Sequence, residues 1–153
     1  MWKFRGLPVH VLLVHGIVVL VPLTAVLVIV CALWPAARRR FIWPTAALAV
    51  LVTGLTPLTI EAGEWLQQWV GATPAIDQHT HLGGQMLYFV VPLLITAALL
   101  VLVHVREGQG KVLGRSVLAL VAILAVAAGA AATVQTYRVG DSGARAVWNG
   151  VAS

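Results

Sequence analysis

Four apolar stretches constrain the fold of this sequence more than any other feature. Each is long enough to cross the hydrocarbon core of a bilayer as an α-helix, which takes about 20 mainly apolar residues. The approximate stretches are residues 9–34, 45–69, 82–105 and 112–137. Because lipid cannot hydrogen-bond to the backbone, each span must satisfy its own backbone groups as a helix. We therefore predict a single all-α domain over residues 1–153, an integral membrane four-helix bundle.

The composition excludes an ordinary soluble domain. Hydrophobic residues make up 60% of the chain and charged residues only 10%, and the mean hydropathy is +0.94, well above the range of soluble proteins. The net charge of +5 would suggest a nucleic-acid partner in a soluble protein. Here the basic residues lie in short connections beside apolar runs, where topology and lipid headgroups account for them better. We therefore predict contact with a lipid bilayer and no binding of nucleic acid.

The lysines and arginines predict the orientation of the four spans. With an even number of spans both termini lie on one side, and basic residues favour the cytoplasmic side. Six basic residues fall in the first and third connections: Arg38, Arg39, Arg40, Arg106, Lys111 and Arg115. Four fall on the opposite side: Lys3, Arg5, Arg138 and Arg145. We therefore predict that both termini lie on the outer side, with the first span retained because it is too long for a signal-peptide core.

The polar side chains collect at the predicted outer end. Four of the five acids and four of the five histidines fall there: Glu61, Glu64, Asp77, Asp141, His10, His15, His79 and His81. An ionisable group inside a span is costly, so it marks a candidate functional site. In the second span, five residues at three- and four-residue spacing share one helix face: Thr53, Pro57, Glu61, Glu64 and Gln68. We expect that face to point into the bundle, because lipid would penalise it.

The two histidines of the first span point in different directions. At about 100° per residue, the faces of His10 and His15 are about 140° apart, so one small ion is not expected to bind both rings. His15 lies about two turns inside the membrane. We expect His15 to be the buried ligand, facing Glu64 and either His79 or His81, with His10 at the entrance.

Three interpretations of this outer cluster are open. The first is a hydrogen-bonded polar plug that only closes the bundle. The second is a cofactor site, either haem b held axially by His15 and His79 or His81, or a zinc, copper or iron ion held by His10, His15, Glu64 and His79. The third is a proton or ion pathway, although the polar stripe fades before the inner side.

Four further polar residues are expected to support the ligands of a cofactor site. A polar side chain next to a histidine ring can fix the tautomer and orientation of that ring. For two of these residues, which lie in the tail, capping of a helix is the alternative role. The four residues are Glu61, Gln85, Asp141 and Ser142.

Four ordered segments of the sequence resemble the motifs of a known membrane-protein family. LPVHVLLVHGIVVLVPL resembles an opening L-P-x-H-P-L-L-V-H-F-P-I, and AGEWLQQWV resembles a G-E-x-L-E segment. DQHTHLGGQ resembles the segment E-H-x-x-L-G-x, and YRVGDSGARAVW resembles a closing G-x-S-G-A-x-x-V-W. Together these segments resemble the bacterial family known as domain of unknown function 2231. Departures are Val11 and Gly16 with Ile17, which replace family prolines and a phenylalanine, and His81, an extra ring beside His79.

The resemblance implies a fold and a site more than a function. The family's polar motif positions fall on His10, His15, Glu64 and His79, and its closing motif falls on Asp141, Ser142, Gly143 and Trp148 in the tail. The resemblance also implies a bacterial cytoplasmic membrane. Some relatives carry a Rieske-type iron–sulfur domain, which implies electron transfer near a quinone pool. This sequence contains one cysteine, Cys31, so it cannot supply the two cysteine ligands of such a centre.

We therefore expect a membrane protein whose outer His and Glu cluster binds haem b or a transition metal for membrane redox chemistry or electron transfer. We do not expect a stand-alone enzyme. The expected partners are a redox protein, a membrane complex or a second copy of the chain. The alternative is a structural or assembly subunit whose cluster is purely structural, and the third possibility is an ion or proton transporter.

Overall fold

The computed structural model describes residues 3–4, 6–111 and 113–148, and nearly all of them are helical. Arg5 and Val112, used above in predicting the orientation and the start of the fourth span, lie outside the described residues. A short antiparallel pair of strands comes first, and five helices follow. Their bounds are β1 Lys3–Phe4, β2 Leu7–Pro8, α1 Val9–Leu33, α2 Pro35–Val70, α3 Pro74–Gly84, α4 Leu87–Gly108 and α5 Arg115–Trp148.

The predicted all-α membrane bundle is confirmed. Four helical segments are long and apolar enough to cross a bilayer: Val9–Leu33, Pro35–Val70, Pro74–Gly108 and Arg115–Trp148. The third segment contains α3 and α4, which are separated at residues 85–86. α1 and α4 each pack against both α2 and α5, so the long helices form a closed four-membered ring. α3 packs mainly against α5, at the end where the chain begins.

The first predicted connection is helical and not a loop. Only Trp34, with φ −126° and ψ 104°, separates α1 from α2. Pro35 follows at the first position of α2, where its missing N–H would have had no helical partner. The three arginines at 38–40 therefore lie in the first turns of α2. With 36 residues, α2 is about 54 Å long and extends beyond a hydrocarbon core of about 30 Å.

The bundle interior is built from small residues, valines, leucines and threonines. An added Cβ at Gly129 of α5 would lie 2.8 Å from Cδ1 of Ile29 in α1, so these helices approach closely, as membrane helices do at small residues. The buried threonine hydroxyls donate to the carbonyl four residues earlier, which satisfies them inside the helix. They are Thr24, Thr45, Thr56, Thr59, Thr96 and Thr136.

The bundle carries a polar cluster at each end. We call the end that holds Arg38 and Glu107 the arginine end. Arg38 is 2% exposed, and its Nη2 and Nε donate to the two carboxylate oxygens of Glu107 at 2.7 and 3.3 Å. Its Nη1 donates to the carbonyl of Cys31 at 2.9 Å. The guanidinium therefore joins α1, α2 and α4 at this end, a connection that the sequence did not reveal.

Candidate functional site

Two histidines meet at the opposite end of the bundle, which we call the histidine end. His10 lies in the first turn of α1 and His79 in the middle of α3. Their ring centroids are 6.1 Å apart and the rings are nearly perpendicular, at 79°. Both side chains are partly buried. The structure thus brings together two rings that are 69 residues apart in the sequence.

Backbone carbonyls orient both rings. Nδ1 of His10 lies 2.9 Å from the carbonyl oxygen of Thr59 in α2. Nδ1 of His79 lies 3.1 Å from the carbonyl oxygen of Val139 in α5 and 3.1 Å from Oγ of Ser142. Since a carbonyl only accepts, each Nδ1 carries the proton and donates it. In the neutral ring, Nε2 is then left with a free lone pair, which is the arrangement of a histidine that ligates a metal through Nε2.

Two glycines allow the rings to approach the neighbouring helices. An added Cβ at Gly63 of α2 would lie 2.9 Å from Cε1 of His10, and one at Gly143 of α5 would lie 2.9 Å from Cε1 of His79. Separations this short are well below the usual contact distance between carbon atoms. Glycine at these two positions is therefore what lets each imidazole lie against a helix backbone.

A buried amide lies close to the histidine pair and was missed by the sequence analysis. Gln135 of α5 is 1% exposed, and its Nε2 donates to the carbonyl of Leu82 in α3 at 2.9 Å. Its Oε1 is buried without a hydrogen-bond partner within the described part of the chain. Val139, which bonds His79, is one helical turn further along α5. A lone amide inside the apolar fourth span was the available signal for this residue.

His15 does not lie in the bundle interior, so the expectation of a buried ligand there is wrong. Its side chain is exposed, and its Nδ1 contacts the carbonyl of Val11 in the same helix. The buried face of α1 contains Ile17, Val21 and Val28. At about 100° per residue that face coincides with His10 and lies opposite His15, so it is His10 that points inward.

The polar face of the second span points outward, contrary to expectation. Glu61, Glu64 and Gln68 are exposed, whereas Thr53 and Pro57 are only partly buried. The face that packs into the bundle carries small and β-branched side chains: Thr45, Ala49, Val52, Thr56, Thr59 and Ala62. The expectation was wrong because only one face of α2 can pack inside the bundle. The face of small and β-branched side chains allows closer packing, so it is buried and the polar face is exposed.

The other predicted residues are spread over the surface of the histidine end. His81 is exposed, with its Nε2 3.1 Å from Nε2 of Gln85. Asp141 contacts no histidine ring and pairs instead with Arg145 at 2.9 Å. Ser142 is the predicted supporting residue that contacts His79, and it also donates to the Val139 carbonyl at 2.9 Å.

An open groove of about 560 Å³ borders His81 on the outside of α3. Its lining is polar at one end, where Nε2 of Gln67 donates to Asp77 at 2.8 Å and Thr80 donates to Gln67 at 3.0 Å. Tyr88 lines the other part of the groove. The groove is separate from the buried face that carries His79.

The predicted metal ligands do not converge. Across residues 6–111 and 113–148, no three His, Cys, Asp or Glu side chains come close enough to share an ion. Of the four proposed metal ligands, His10 and His79 meet, while His15 and Glu64 lie on the outside of different helices. The three histidines proposed for haem, His15, His79 and His81, do not face one another. Within the described part of the chain, the structure therefore brings two of the predicted imidazoles together and no third such ligand with them.

Comparison with known proteins agrees with the motifs in the sequence. Residues 6–152 match a family model described as "Predicted membrane protein (DUF2231)", so the resemblance noted from four motifs is confirmed. No curated protein and no solved structure matches the chain. The family description covers the membrane location and no activity.

Proposed function

We propose that this chain, which belongs to the DUF2231 family of predicted membrane proteins, binds a transition-metal ion at its histidine end and serves membrane redox chemistry. The observation that carries the proposal is the meeting of His10 and His79, each with Nδ1 bonded to a backbone carbonyl. This leaves Nε2 of both rings as the donor atoms. We place the site on the outer face of a bacterial cytoplasmic membrane, as the distribution of basic residues favours.

The chemistry of the donors favours a first-row transition metal. Imidazole nitrogen suits zinc, copper and iron, whereas magnesium and calcium prefer oxygen. With metal–nitrogen bonds of about 2.0–2.1 Å, the centroids of two imidazoles on one ion would lie about 4.5 Å apart at a right angle and about 6.4 Å apart when opposite each other. The observed 6.1 Å falls within that range. Among these metals copper and iron change oxidation state, and when bound they would supply one-electron transfer.

The surroundings favour a single ion over haem b. The backbones of Gly63 and Gly143 lie against the ring edges, so close that even a methyl group would clash. A porphyrin bound through Nε2 would need a wide slot beside the rings, whereas a single ion needs room only for itself and its donor atoms. At the same end of the bundle, the buried Oε1 of Gln135 has no hydrogen-bond partner in the described part of the chain.

The protein's own residues hold the rings in position. Thr59 fixes His10 from α2, and Val139 with Ser142 fixes His79 from α5. Carbonyl acceptors of this kind lock the tautomer and raise the basicity of the ligating nitrogen. Because the site lies at a helix end and not at the bundle centre, a soluble or membrane-bound redox partner could approach it closely.

The rival proposal is a polar plug that holds the bundle closed in a structural or assembly subunit. The observation that favours it is that both rings are already hydrogen-bonded within the protein. The two proposals differ in what happens at Nε2. The plug needs only the Nδ1 hydrogen bonds, whereas the metal site needs the Nε2 lone pairs as well.

The variant His79→Asn separates these proposals. The amide nitrogen of asparagine takes the place of Nδ1 and can donate to Val139, but no atom replaces Nε2. We expect protein purified from native membranes without chelators to contain copper or iron, at about one ion per site. His79→Asn should remove the metal and keep the fold, and the exposed histidine variants His15→Asn and His81→Asn should retain the metal.

The measurements are elemental analysis, far-ultraviolet circular dichroism and electron paramagnetic resonance of the oxidised protein. A copper or iron signal that disappears in His79→Asn supports the redox site. Wild-type protein without metal, also after incubation with copper or iron salts, would refute it and leave the polar plug. A Soret band in the absorption spectrum would instead reassign the site to haem.

A further inference from the structure

Several charged side chains at the histidine end have no ion-pair partner in the described part of the chain. Glu61 and Glu64 on α2 and Arg138 on α5 are exposed and unpaired, and Asp77 of α3 has no ion pair but accepts a hydrogen bond from Gln67. By contrast, Asp141 pairs with Arg145 at this end and Glu107 pairs with Arg38 at the arginine end. Charged groups on the outside of a membrane helix are costly unless headgroups, water or another protein satisfy them.

The acidic and basic groups lie at similar depth. The carbonyls of Thr59 in α2 and Val139 in α5 both bond the histidine pair, so they belong to one layer. Glu61 is two residues beyond Thr59 and Arg138 is one residue before Val139, which displaces them by only about 3 and 1.5 Å along their helices. An arginine side chain is long enough to cover a difference of this size.

Glu61 lies on the side of α2 that borders α4. It follows Trp43 by 18 residues, which is five full turns, so both side chains lie along one line of the helix. The Trp43 ring packs edge-on against His104 of α4, with centroids 6.4 Å apart. Nearer the histidine end, Gln67, three residues beyond Glu64, bonds Asp77 of α3. This flank of α2 therefore faces the α3–α4 segment.

Arg138 lies on the side of α5 that borders the same segment. Three residues before it, Gln135 bonds Leu82 of α3. Four residues after it, Ser142 contacts His79 of α3. The α3–α4 segment thus has an acidic flank on α2 and a basic flank on α5, and its outward stripe lies between them: Tyr88, Val91, Ile95 and Leu102.

We propose that this surface, which we call the α4 face, binds a second copy of the chain in a two-fold symmetric dimer. A two-fold axis along the membrane normal, through the outward stripe of α4, brings the α2 flank of each copy opposite the α5 flank of the other. In such an interface every contact occurs twice. Glu61 of one copy then pairs with Arg138 of the other at both edges of the interface, with Glu64 nearly one turn beyond it adding to the acidic side.

The occupant is a second copy because the charges on this face complement themselves. An unrelated partner would have to present acid and base in the same arrangement, at the same depth. Lipid headgroups can also satisfy charges near the interface, and they are the alternative that the experiment must separate. In a dimer, the acidic side chains of one copy and the arginine of the other must have opposite charges. Headgroups would satisfy each charged side chain independently of the others.

Cysteine cross-linking in native membranes tests the geometry of the dimer. Ile95 of α4 and Val26 of α1 are exposed to the same extent, 55% and 56%, and each is 16 residues from its histidine of the central pair. In a Cys31→Ser background, whose hydroxyl keeps the contact with Thr45, Ile95→Cys should give a disulfide-linked dimer on oxidation. Val26→Cys, on the opposite side, should not. Equal cross-linking at both positions, or at neither, would refute this dimer.

Charge reversal tests the pairing itself. Arg138→Glu should weaken dimerisation about tenfold or more, because the new glutamate of each copy then faces the acidic side chains of the other copy and repels them. Combining Arg138→Glu with Glu61→Arg and Glu64→Arg in one chain restores opposite signs at both edges and should restore the Ile95→Cys cross-link. If the triple variant is no better than Arg138→Glu, or if Arg138→Glu has no effect, headgroups satisfy these charges and the proposal is wrong. Metal content of the variants is read separately, so either proposal can fail alone.

Discussion

A methyl group added at Gly63 is the sharpest test of the site geometry. The new Cβ would lie 2.9 Å from Cε1 and 3.0 Å from Nδ1 of His10. Carbon atoms pack at about 3.5–4.0 Å, so the ring must retreat by at least about 0.6 Å. Its hydrogen bond to Thr59 is now 2.9 Å long. A retreat along that direction lengthens it to about 3.5 Å, beyond the range of a normal hydrogen bond.

The expected loss of stability follows from three terms. Overpacking costs about 1–3 kcal/mol, and a weakened hydrogen bond costs about 0.5–1.5 kcal/mol. Replacing glycine by alanine inside a helix returns about 1 kcal/mol of helix propensity. We therefore expect Gly63→Ala to lower the free energy of unfolding by about 2 kcal/mol, with mid-range values for each term.

Each contact glycine has a matched control on its own helix. An added Cβ at Gly54 of α2 or Gly140 of α5 meets nothing within 4 Å. Gly54→Ala and Gly140→Ala should therefore raise the free energy of unfolding by about 0.5–1 kcal/mol. Gly143→Ala, whose Cβ would lie 2.9 Å from Cε1 of His79, should lower the free energy of unfolding by as much as Gly63→Ala does. Unfolding in mixed micelles of mild detergent and sodium dodecyl sulfate, followed by circular dichroism, measures the difference. Gly63→Ala as stable as Gly54→Ala would show that His10 does not lie against α2.

Two further predictions concern the arginine end and the topology. Glu107→Gln should destabilise the bundle by about 3 kcal/mol, because it leaves the buried Arg38 guanidinium without a counter-charge. Asp141→Asn, at the exposed pair with Arg145, should lower the stability by less than about 0.5 kcal/mol. The same unfolding assay compares the two variants, and equal effects would contradict the importance of the buried ion pair. A reporter enzyme that is active only outside the cytoplasm should be active when it is fused to either terminus, since basic residues favour cytoplasmic connections. Activity of a reporter that works only in the cytoplasm would reverse the predicted orientation.

The number and type of spans were predictable because they depend only on length and composition. Four apolar runs of sufficient length predict four membrane helices, and the structure has them. The first and last residues of the helices were less predictable where a proline lies near the helix end. Pro35 begins α2 and Pro44 lies within it, so residues 35–44, which look like a loop in sequence, form nearly three additional helical turns. Proline at a helix start is favourable, and proline in a membrane helix is tolerated.

The orientation of each helix about its own axis could not be predicted from hydropathy. A lipid chain is about as apolar as leucine, so no hydrophobic stripe distinguishes the buried face from the lipid face. In α1 nearly every residue is apolar, so the sequence analysis expected His15 to point inward, whereas in the structure His10 points inward and His15 is exposed. Small and β-branched residues carry the missing signal in α2, where Ala49, Thr56 and Thr59 mark the buried face. The same rule, applied first, would have placed Glu61 outside.

The histidine pair links helices that no short connection joins at this end of the bundle. His10 ties α1 to α2 through Thr59, His79 ties α3 to α5 through Val139, and the contact between the two rings joins both halves. An ion on both Nε2 atoms would turn that ring contact into a bond network across four helices. Binding to the folded state alone adds about 2.7 kcal/mol of stability when the free metal is at 100 times its Kd. A structural role and a metal-binding role are therefore coupled in this geometry, and they differ in whether the stability of the bundle depends on the metal concentration.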